Sequence, residues 1–198
     1  MRTRPVLATL VTFASLVAAS AAASPEPPSG ATVCAPCHGE SGNSAVPVYP
    51  NLAGQQTEYL HKQLADFAKG RRTNEAMTAA LAPMPRGDFP ALVAYYGAQP
   101  PASGRTGDAA LAMAGRKLFD DGDWPAGIPP CRSCHGERGA GRDRYPRLAG
   151  QNAAYIVQQL ADFKAGTRHN DTRRVMREVA ARLDDAQMKA LAEYLAGL

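Results

Sequence analysis

Long hydrophobic runs are scarce in this 198-residue chain, and the one that is present lies at the N-terminus. After residue 23 no apolar stretch is long enough to span a bilayer. No segment alternates apolar and polar residues cleanly enough to predict a β-strand. No run interleaves aromatic and basic residues, as nucleic-acid-binding segments do. These absences exclude a multispanning membrane protein and give no support to a nucleic-acid partner.

The excess of positive charge is small as well. The chain has 22 basic and 18 acidic residues, and two of the basic residues, Arg2 and Arg4, belong to the N-terminal segment. Without them the charges nearly balance. The composition therefore does not indicate a partner that is bound through charge alone.

Residues 1–23 have the pattern of a secretory signal peptide. Arg2 and Arg4 supply the positive start, residues 6–22 the apolar region, and the alanines at 21–23 a cleavage site. The alternative is a retained membrane anchor, although an Ala-rich segment of about 18 residues is at the lower limit for spanning a bilayer. We therefore expect the mature protein to be soluble in the periplasm or held loosely at a membrane surface.

Cysteine occurs only four times, and all four residues belong to two copies of C-x-x-C-H, at 34–38 and 131–135. This motif is the attachment signature of a c-type haem. Two thiols three positions apart on a helical turn can reach the two vinyl groups of one porphyrin, and the adjacent imidazole can bind the iron. A structural disulfide would not need the histidines. The predicted ligands of two covalent haem c groups are Cys34, Cys37 and His38 in one motif and Cys131, Cys134 and His135 in the other.

The segments after each motif are repeated too. Y-P-N-L-A-G-Q at 49–55 matches Y-P-R-L-A-G-Q at 145–151, and Q-L-A-D-F at 63–67 recurs at 159–163. The offset is 97 residues at the cysteines and 96 in these segments. A period of this length is too long for a solenoid unit and indicates a duplicated small domain. The predicted organisation is lobe one at 24–99, a linker at 100–107 and lobe two at 108–198.

Each lobe is expected to be all-α, because apolar residues recur at helical spacing after each motif and again near each lobe's end. Asp184 and Gln187 form a capping box for the last helix of lobe two. Lobe one has Pro85 at the equivalent position, so its last helix should start later or irregularly. Lobe two also has a predicted helix at 108–120, with Gly115 on its apolar face. Lobe one has no counterpart, and its Pro-rich start at 24–32 should be extended.

The repeat also gives a test for the second axial ligand, whose identity sets the chemistry of a His-ligated haem iron. At the 99-residue offset of the last helices, Met77 pairs with Met176, and each lies about 40 residues after its histidine. Methionine is otherwise a common core filler. Repetition favours Met77 and Met176 as the distal ligands. The remaining methionines and lone histidines have no residue of their own type at the equivalent position: Met84, Met113, Met188, His61 and His169.

With these features the chain resembles the dihaem cytochrome c4 family, which consists of two tandem class I cytochrome c domains. The resemblance covers nearly the whole chain after residue 23. It implies two low-spin haems with His/Met ligation, in domains related by a pseudo-twofold axis with propionate edges near the interface. It also implies that the carbonyls of Pro50 and Pro146 accept hydrogen bonds from Nδ1–H of the axial histidines. Lobe one departs from the family by lacking the first helix.

The predicted function is electron transfer rather than catalysis, because an iron with His and Met ligands has no vacant site for a substrate. The resemblance implies a route from a quinol–cytochrome c reductase to a haem–copper terminal oxidase. A dihaem subunit of a periplasmic dehydrogenase is an alternative that would have a similar sequence. A dihaem peroxidase or thiosulfate-oxidising enzyme would need an open or labile distal position. A zinc protein would need the two C-x-x-C pairs to converge and would leave the histidines unexplained.

Overall fold

The computed structural model describes residues 26–104 and 107–198, and the predicted signal peptide at 1–23 lies outside them. Within these ranges the regular structure is helical, apart from two isolated β-bridges in lobe two. The expected all-α fold is confirmed. No helix in the same ranges is both long enough and apolar enough to cross a membrane. The α-helices are α1 Ala31–His38, α2 Thr57–Ala68, α3 Glu75–Leu81, α4 Phe89–Ala98, α5 Ala109–Asp121, α6 Arg132–His135, α7 Ala153–Ala165, α8 Val175–Ala180 and α9 Asp185–Ala196.

Lobe one is built mainly from the packing of α2 against α4, with α1 beside them. The Pro-rich start gives way to helix at Ala31, so the last two residues of the segment expected to be extended are helical instead. Among the described residues no helix precedes α1. A short 3-10 turn at Arg86–Asp88 follows Pro85 and delays α4 to Phe89. This is the irregular start expected from a proline that replaces a polar cap.

Lobe two has a more extensive core because α5 packs closely on α9. A Cβ atom added to Gly115 in α5 would lie 1.9 Å from the carbonyl oxygen of Ala190, so a side chain there would require α5 to shift away from α9. The helix α9 begins with the predicted capping box, in which Asp184 and Gln187 bond each other's backbone N–H groups. Around this helix pair the lobe buries a larger apolar cluster than lobe one does.

The lobes meet through their repeated L-A-G-Q segments, and the contacts are exchanged symmetrically. The Gln55 carboxamide accepts from the Arg147 N–H at 2.7 Å and donates to the Arg147 carbonyl at 2.9 Å. The Gln151 carboxamide likewise accepts from the Asn51 N–H at 2.8 Å and donates to the Asn51 carbonyl at 3.0 Å. Asn51 and Arg147 occupy equivalent positions of the repeat. The junction therefore has pseudo-twofold symmetry at the level of single hydrogen bonds.

Candidate functional site

Both C-x-x-C-H motifs lie on short helical turns that end at the histidine. His38 is the last residue of α1, and His135 is the last residue of α6. Each is followed by a glycine with positive φ, 80° at Gly39 and 77° at Gly136. A Cβ atom at Gly39 would lie 2.3 Å from the Asn43 carbonyl oxygen. Glycine is therefore needed for the chain to leave the helix directly after the imidazole.

Each of these histidines is buried, and its Nδ1 is held by a backbone carbonyl. The distance is 2.9 Å from His38 Nδ1 to Pro50 O and 3.1 Å from His135 Nδ1 to Pro146 O. Burial lowers the pKa of both histidines, although the carbonyl partner acts in the opposite direction. A neutral imidazole that donates from Nδ1 has a free lone pair on Nε2, the form that binds a metal. The His–Pro bonds implied by the family resemblance are therefore present in both lobes.

The four cysteines are half-buried, form no disulfide with one another and line the same cavity as the histidines. Burial raises the pKa of the Cys34 thiol and raises the pKa of Cys131 to about 11. Neither thiol is therefore a reactive thiolate at neutral pH. Among the described residues, no three His, Cys, Asp or Glu side chains cluster as a metal site would require. The two C-x-x-C pairs thus do not converge on a shared site of the zinc type.

One cavity of about 1310 Å³ extends through both lobes. Pockets for drug-sized ligands have volumes of about 300–1,000 Å³, so this cavity is larger than one such ligand needs. Its wall contains the four thiols and both Nδ1-bonded imidazoles, together with the apolar side chains of both cores. These donors fit two haem c groups, because each lobe offers two thiols and one neutral imidazole to the same space.

Met77 and Met176 also line this cavity, and both are half-buried. In lobe one the Asn74 side chain caps α3 by accepting from the Met77 N–H at 3.1 Å. In lobe two α8 has no side-chain cap at Arg174, and Asp171 instead accepts from the Arg177 backbone at 3.1 Å and from Arg177 Nε at 2.7 Å. The two methionines are thus presented by differently capped helices.

The other methionines and histidines have distinct surroundings. Met188 is 2% exposed in the core of lobe two, and Met113 is 69% exposed on α5. His61 and His169 are exposed. Met84 packs against the lobe-one core and also lines the cavity, so it is the competing sulfur donor in that lobe. The assignment of Met77 therefore stays a prediction.

A polar network at the lobe junction was not foreseen from the sequence. Its members are Tyr, Gln and Arg residues that recur at the 96-residue offset and line the cavity, namely Tyr59 and Tyr155, Gln63 and Gln159, and Arg72 and Arg168. Tyr59 and Tyr155 lie in α2 and α7, where the helical spacing of apolar residues predicts buried apolar faces. Their hydroxyl groups in fact accept hydrogen bonds from arginines of the opposite lobe. Identical polar residues at one fixed offset were the signal that could have revealed the network.

Comparison with known proteins gives consistent matches. Residues 29–96 and 112–198 each match the family described as cytochrome c. The chain is 45% identical over 169 residues to "Cytochrome c4" of Thiocapsa roseopersicina, which covers 84% of this chain and 87% of the relative. It is 39% identical over 198 residues to "Thiosulfate dehydrogenase electron acceptor" of Thiomonas intermedia, which covers 98% and 90%. The crystal structure of reduced recombinant cytochrome c4 from Pseudomonas stutzeri superposes with a TM-score of 0.82 at 40% identity, over 87% of this chain and 98% of that one.

Proposed function

The chain belongs to the cytochrome c4 family of dihaem electron-transfer proteins, and we propose that it carries electrons from a quinol–cytochrome c reductase to a haem–copper terminal oxidase. It is an electron-transfer protein rather than an enzyme, and it holds two covalent haem c groups. Redox protein partners follow from that role. The reductase, the oxidase and a periplasmic location are the parts that this proposal adds.

In the proposed sites Cys34 and Cys37 attach one haem and Cys131 and Cys134 the other. The axial pairs are His38 with Met77 and His135 with Met176. When bound, each haem supplies a one-electron couple, and a thioether ligand favours its reduced state. The protein's own contribution is to hold each imidazole as a neutral donor through Pro50 or Pro146 and to surround the site with apolar side chains.

One observation carries the assignment of an electron carrier. The same arrangement of two thiols, a carbonyl-bonded imidazole and a methionine occurs in both lobes, on one continuous cavity. An iron with both axial positions filled has no vacancy for a substrate, and its ligand set need not change when an electron arrives. Two such sites on a shared cavity suit the passage of electrons between lobes.

The proposed route is tested with the purified, haem-loaded protein. Membranes that contain the reductase and a quinol should reduce it rapidly, and membranes that contain the oxidase should consume oxygen at a rate set by the amount of reduced protein added. Cys134→Ala, a variant with less covalent haem in lobe two, is the matched control and should support slower turnover. Reduction and oxidation no faster than with a non-partner cytochrome would contradict the route.

A second candidate partner is a periplasmic dehydrogenase. It is favoured by the long match to a relative named as the electron acceptor of thiosulfate dehydrogenase. The test mixes the oxidised protein with thiosulfate dehydrogenase and thiosulfate and follows haem reduction by its absorbance. Fast reduction here together with slow reduction by the quinol–cytochrome c reductase would replace the first route with this one. The localisation is tested by cell fractionation, in which haem-stained protein should appear in the periplasmic fraction.

A further inference from the structure

Two arginines at the lobe junction form a symmetric pair with exchanged partners. Arg72 of lobe one donates to Tyr155 Oη at 3.0 Å and to Gln159 Oε1 at 2.7 Å, both in lobe two. Arg168 of lobe two donates to Tyr59 Oη at 3.0 Å and to Gln63 Oε1 at 3.2 Å, both in lobe one. Each also bonds the glutamine of its own lobe, at 2.9 and 2.8 Å. Arg168 has one more bond within its own lobe, to Asn170 Oδ1 at 3.2 Å, so each guanidinium is held by both lobes together.

All of these acceptors are neutral, so the two positive charges have no counter-charge among them. Arg168 is only 8% exposed, and Arg72 is half-buried. The aromatic rings of Phe67 and Phe163 lie 4.7 and 4.4 Å from the two guanidinium carbons. Cation–π contacts of this kind offset part of the cost of removing a cation from water. Burying two like charges side by side nevertheless remains costly unless an anion joins them.

Two carboxylates lie near the network, and neither is bonded to these arginines, although the charge of Asp162 still acts on Arg72. Asp66 accepts from Lys62, Arg71 and Asn170. Asp162 accepts from Gln158, Gln159 and Thr167. A guanidinium has five N–H donors, and the bonds to described residues use three of Arg72 and four of Arg168. Both arginines therefore keep donors for a further acceptor.

A candidate for that acceptor follows from the position of the cavity. Both arginines line the same cavity as the two C-x-x-C-H motifs. A haem carries two propionates, on the half of the macrocycle away from the vinyl groups that join the cysteines. These are its only carboxylates, and arginine forms short, charge-assisted N–H···O bonds with carboxylates. Two haems in this cavity thus bring anionic groups to a largely buried cation pair that no carboxylate of the described residues contacts directly.

We propose that Arg72 and Arg168 are the counter-ions of the haem propionates at the lobe junction, and that they keep those propionates ionised while raising the reduction potentials of both haems. The inference rests on the proposed haem sites and is independent of which proteins give or take electrons. Because each guanidinium is positioned by both lobes together, the pair also makes the potential of one haem depend on the docking of both lobes.

The other charged groups on the cavity do not replace this pair. The carboxylates are Glu75, Asp162 and Asp171, and Asp171 is held by Arg177. The remaining cations are Lys62, Arg144, Arg147 and Arg173. Lys62 is bonded to Asp66. Tyr59 and Tyr155 face the arginines directly, and the two axial histidines are tied to Pro50 and Pro146. A change of potential with pH must be compared among variants that leave all of these groups in place.

The test is a redox titration of the haem-loaded protein at several pH values. Arg168→Gln should lower both potentials, because loss of a nearby cation favours ferric iron. It should also make the potentials fall as pH rises between about 5 and 8, since an unpaired, buried propionate titrates above the usual carboxyl range. Arg168→Lys should retain most of the wild-type potential and its flat pH profile. The control is Arg116→Gln, which removes an exposed arginine that does not line the cavity.

A second variant keeps the proposal testable if Arg168→Gln folds poorly. Gln63→Glu preserves the shape of a side chain that accepts from both arginines, and it adds a competing carboxylate. It should lower both potentials and introduce the same pH dependence. If either variant lowers only the free energy of unfolding, with potentials and pH profile unchanged, the arginines are merely lobe contacts and the proposal is wrong.

Two further measurements separate the sources of failure. Wild-type potentials that shift with added phosphate at constant ionic strength would identify a free anion as the partner and overturn the propionate assignment. Every variant must retain two haems and the weak far-red absorption band of thioether-to-iron charge transfer. If the wild-type protein lacked two haems or the charge-transfer band, the proposed haem ligands would be wrong. If the arginine variants kept both features and their potentials were unchanged, only the proposed role of the arginine pair would be wrong.

Discussion

The Gln151 side chain makes two hydrogen bonds to the backbone of Asn51. Asn51 directly follows Pro50, whose carbonyl accepts a hydrogen bond from His38. The same relationship holds in the other direction, because Gln55 bonds the backbone of Arg147, one residue after Pro146. In each lobe, the short segment that orients the axial imidazole is therefore clamped by the other lobe. The junction and the proximal side of each haem site share one stretch of backbone.

The first prediction concerns this clamp. Gln151→Ala should lower the free energy of unfolding by about 1–3 kcal/mol, because the buried N–H and C=O of Asn51 lose their partners. Gln55→Ala should have a similar effect through Arg147. The measurement is denaturant unfolding of the haem-loaded protein. Gln158→Ala is the control, since that exposed glutamine bonds only within its own helix, and an equal loss in all three variants would contradict the role of the clamp.

The second prediction concerns the distal ligands. Met77→His and Met176→His should each remove about half of the far-red charge-transfer band of the oxidised protein. Each should also lower the potential of one haem, because imidazole favours ferric iron more than a thioether does. Met84→Ala is the matched control in lobe one, as it removes the other sulfur on that side of the cavity. If Met84→Ala abolished half of the band and Met77→Ala left it intact, the alignment of the two lobes would be wrong.

The third prediction concerns haem attachment. Cys37→Ala should reduce the covalent haem content of lobe one, and Cys134→Ala that of lobe two, because each removes one of two thioether links. A pyridine haemochrome assay counts the haems and shows their linkage, and haem staining after a denaturing gel should stay positive for the wild type. Release of all haem from the wild-type protein into acidified acetone would exclude covalent attachment.

The fourth prediction is a pH dependence at Asp66. Burial by itself raises the pKa of this carboxyl, but hydrogen bonds from Lys62, Asn170 and Arg71 hold its pKa below the usual range. A depressed pKa stabilises the fold above the unfolded-state value of about 3.9, and that contribution is lost as pH falls through the folded-state value. Asp66→Asn should therefore be less stable than the wild type at pH 7.

The deficit of Asp66→Asn should shrink below about pH 4, where the wild-type carboxyl also becomes protonated. Thermal unfolding at a series of pH values measures it. Asp121→Asn is the control, because that carboxylate is 61% exposed and pairs only with Lys117 on the surface. A deficit that stayed constant down to pH 2 would show that the charge of Asp66 does not contribute.

Local sequence signals were sufficient for the helical elements, and they also locate the proposed proximal sites. The C-x-x-C-H motifs, the prolines that follow them, Pro85, Gly115 and the Asp184 cap are each readable from neighbouring residues and one repeat offset. The cross-lobe contacts were not readable in this way. Gln63 and Arg168 are 105 residues apart in the chain, and helical periodicity identifies a buried face without saying which polar group it meets. Their repetition marked them as part of the duplication, but only the packed lobes show that they bond each other.

The last prediction is that lobe one opens before lobe two. The buried cluster of lobe two includes Phe119 from α5, which is fully buried and has no counterpart among the described residues of lobe one. Its α9 is capped, whereas α4 of lobe one starts from a 3-10 turn. Regions with fewer buried apolar contacts open at lower free energy. Amide hydrogens of α2 and α4 should therefore exchange faster than those of α7 and α9. On heating, the part of the far-red charge-transfer band that comes from Met77 should disappear before the part that comes from Met176.

The matched control for this order is Gly115→Ala. Its Cβ atom would meet the Ala190 carbonyl at 1.9 Å, so α5 must shift away from α9 and expose part of the lobe-two core. Overpacking of this kind costs about 1–3 kcal/mol. In this variant hydrogen exchange in α9 should accelerate toward the lobe-one rate, while exchange in α4 stays unchanged. Equal protection of α4 and α9 in the wild type, or earlier opening of α9, would contradict the argument that the additional helix gives lobe two its greater stability.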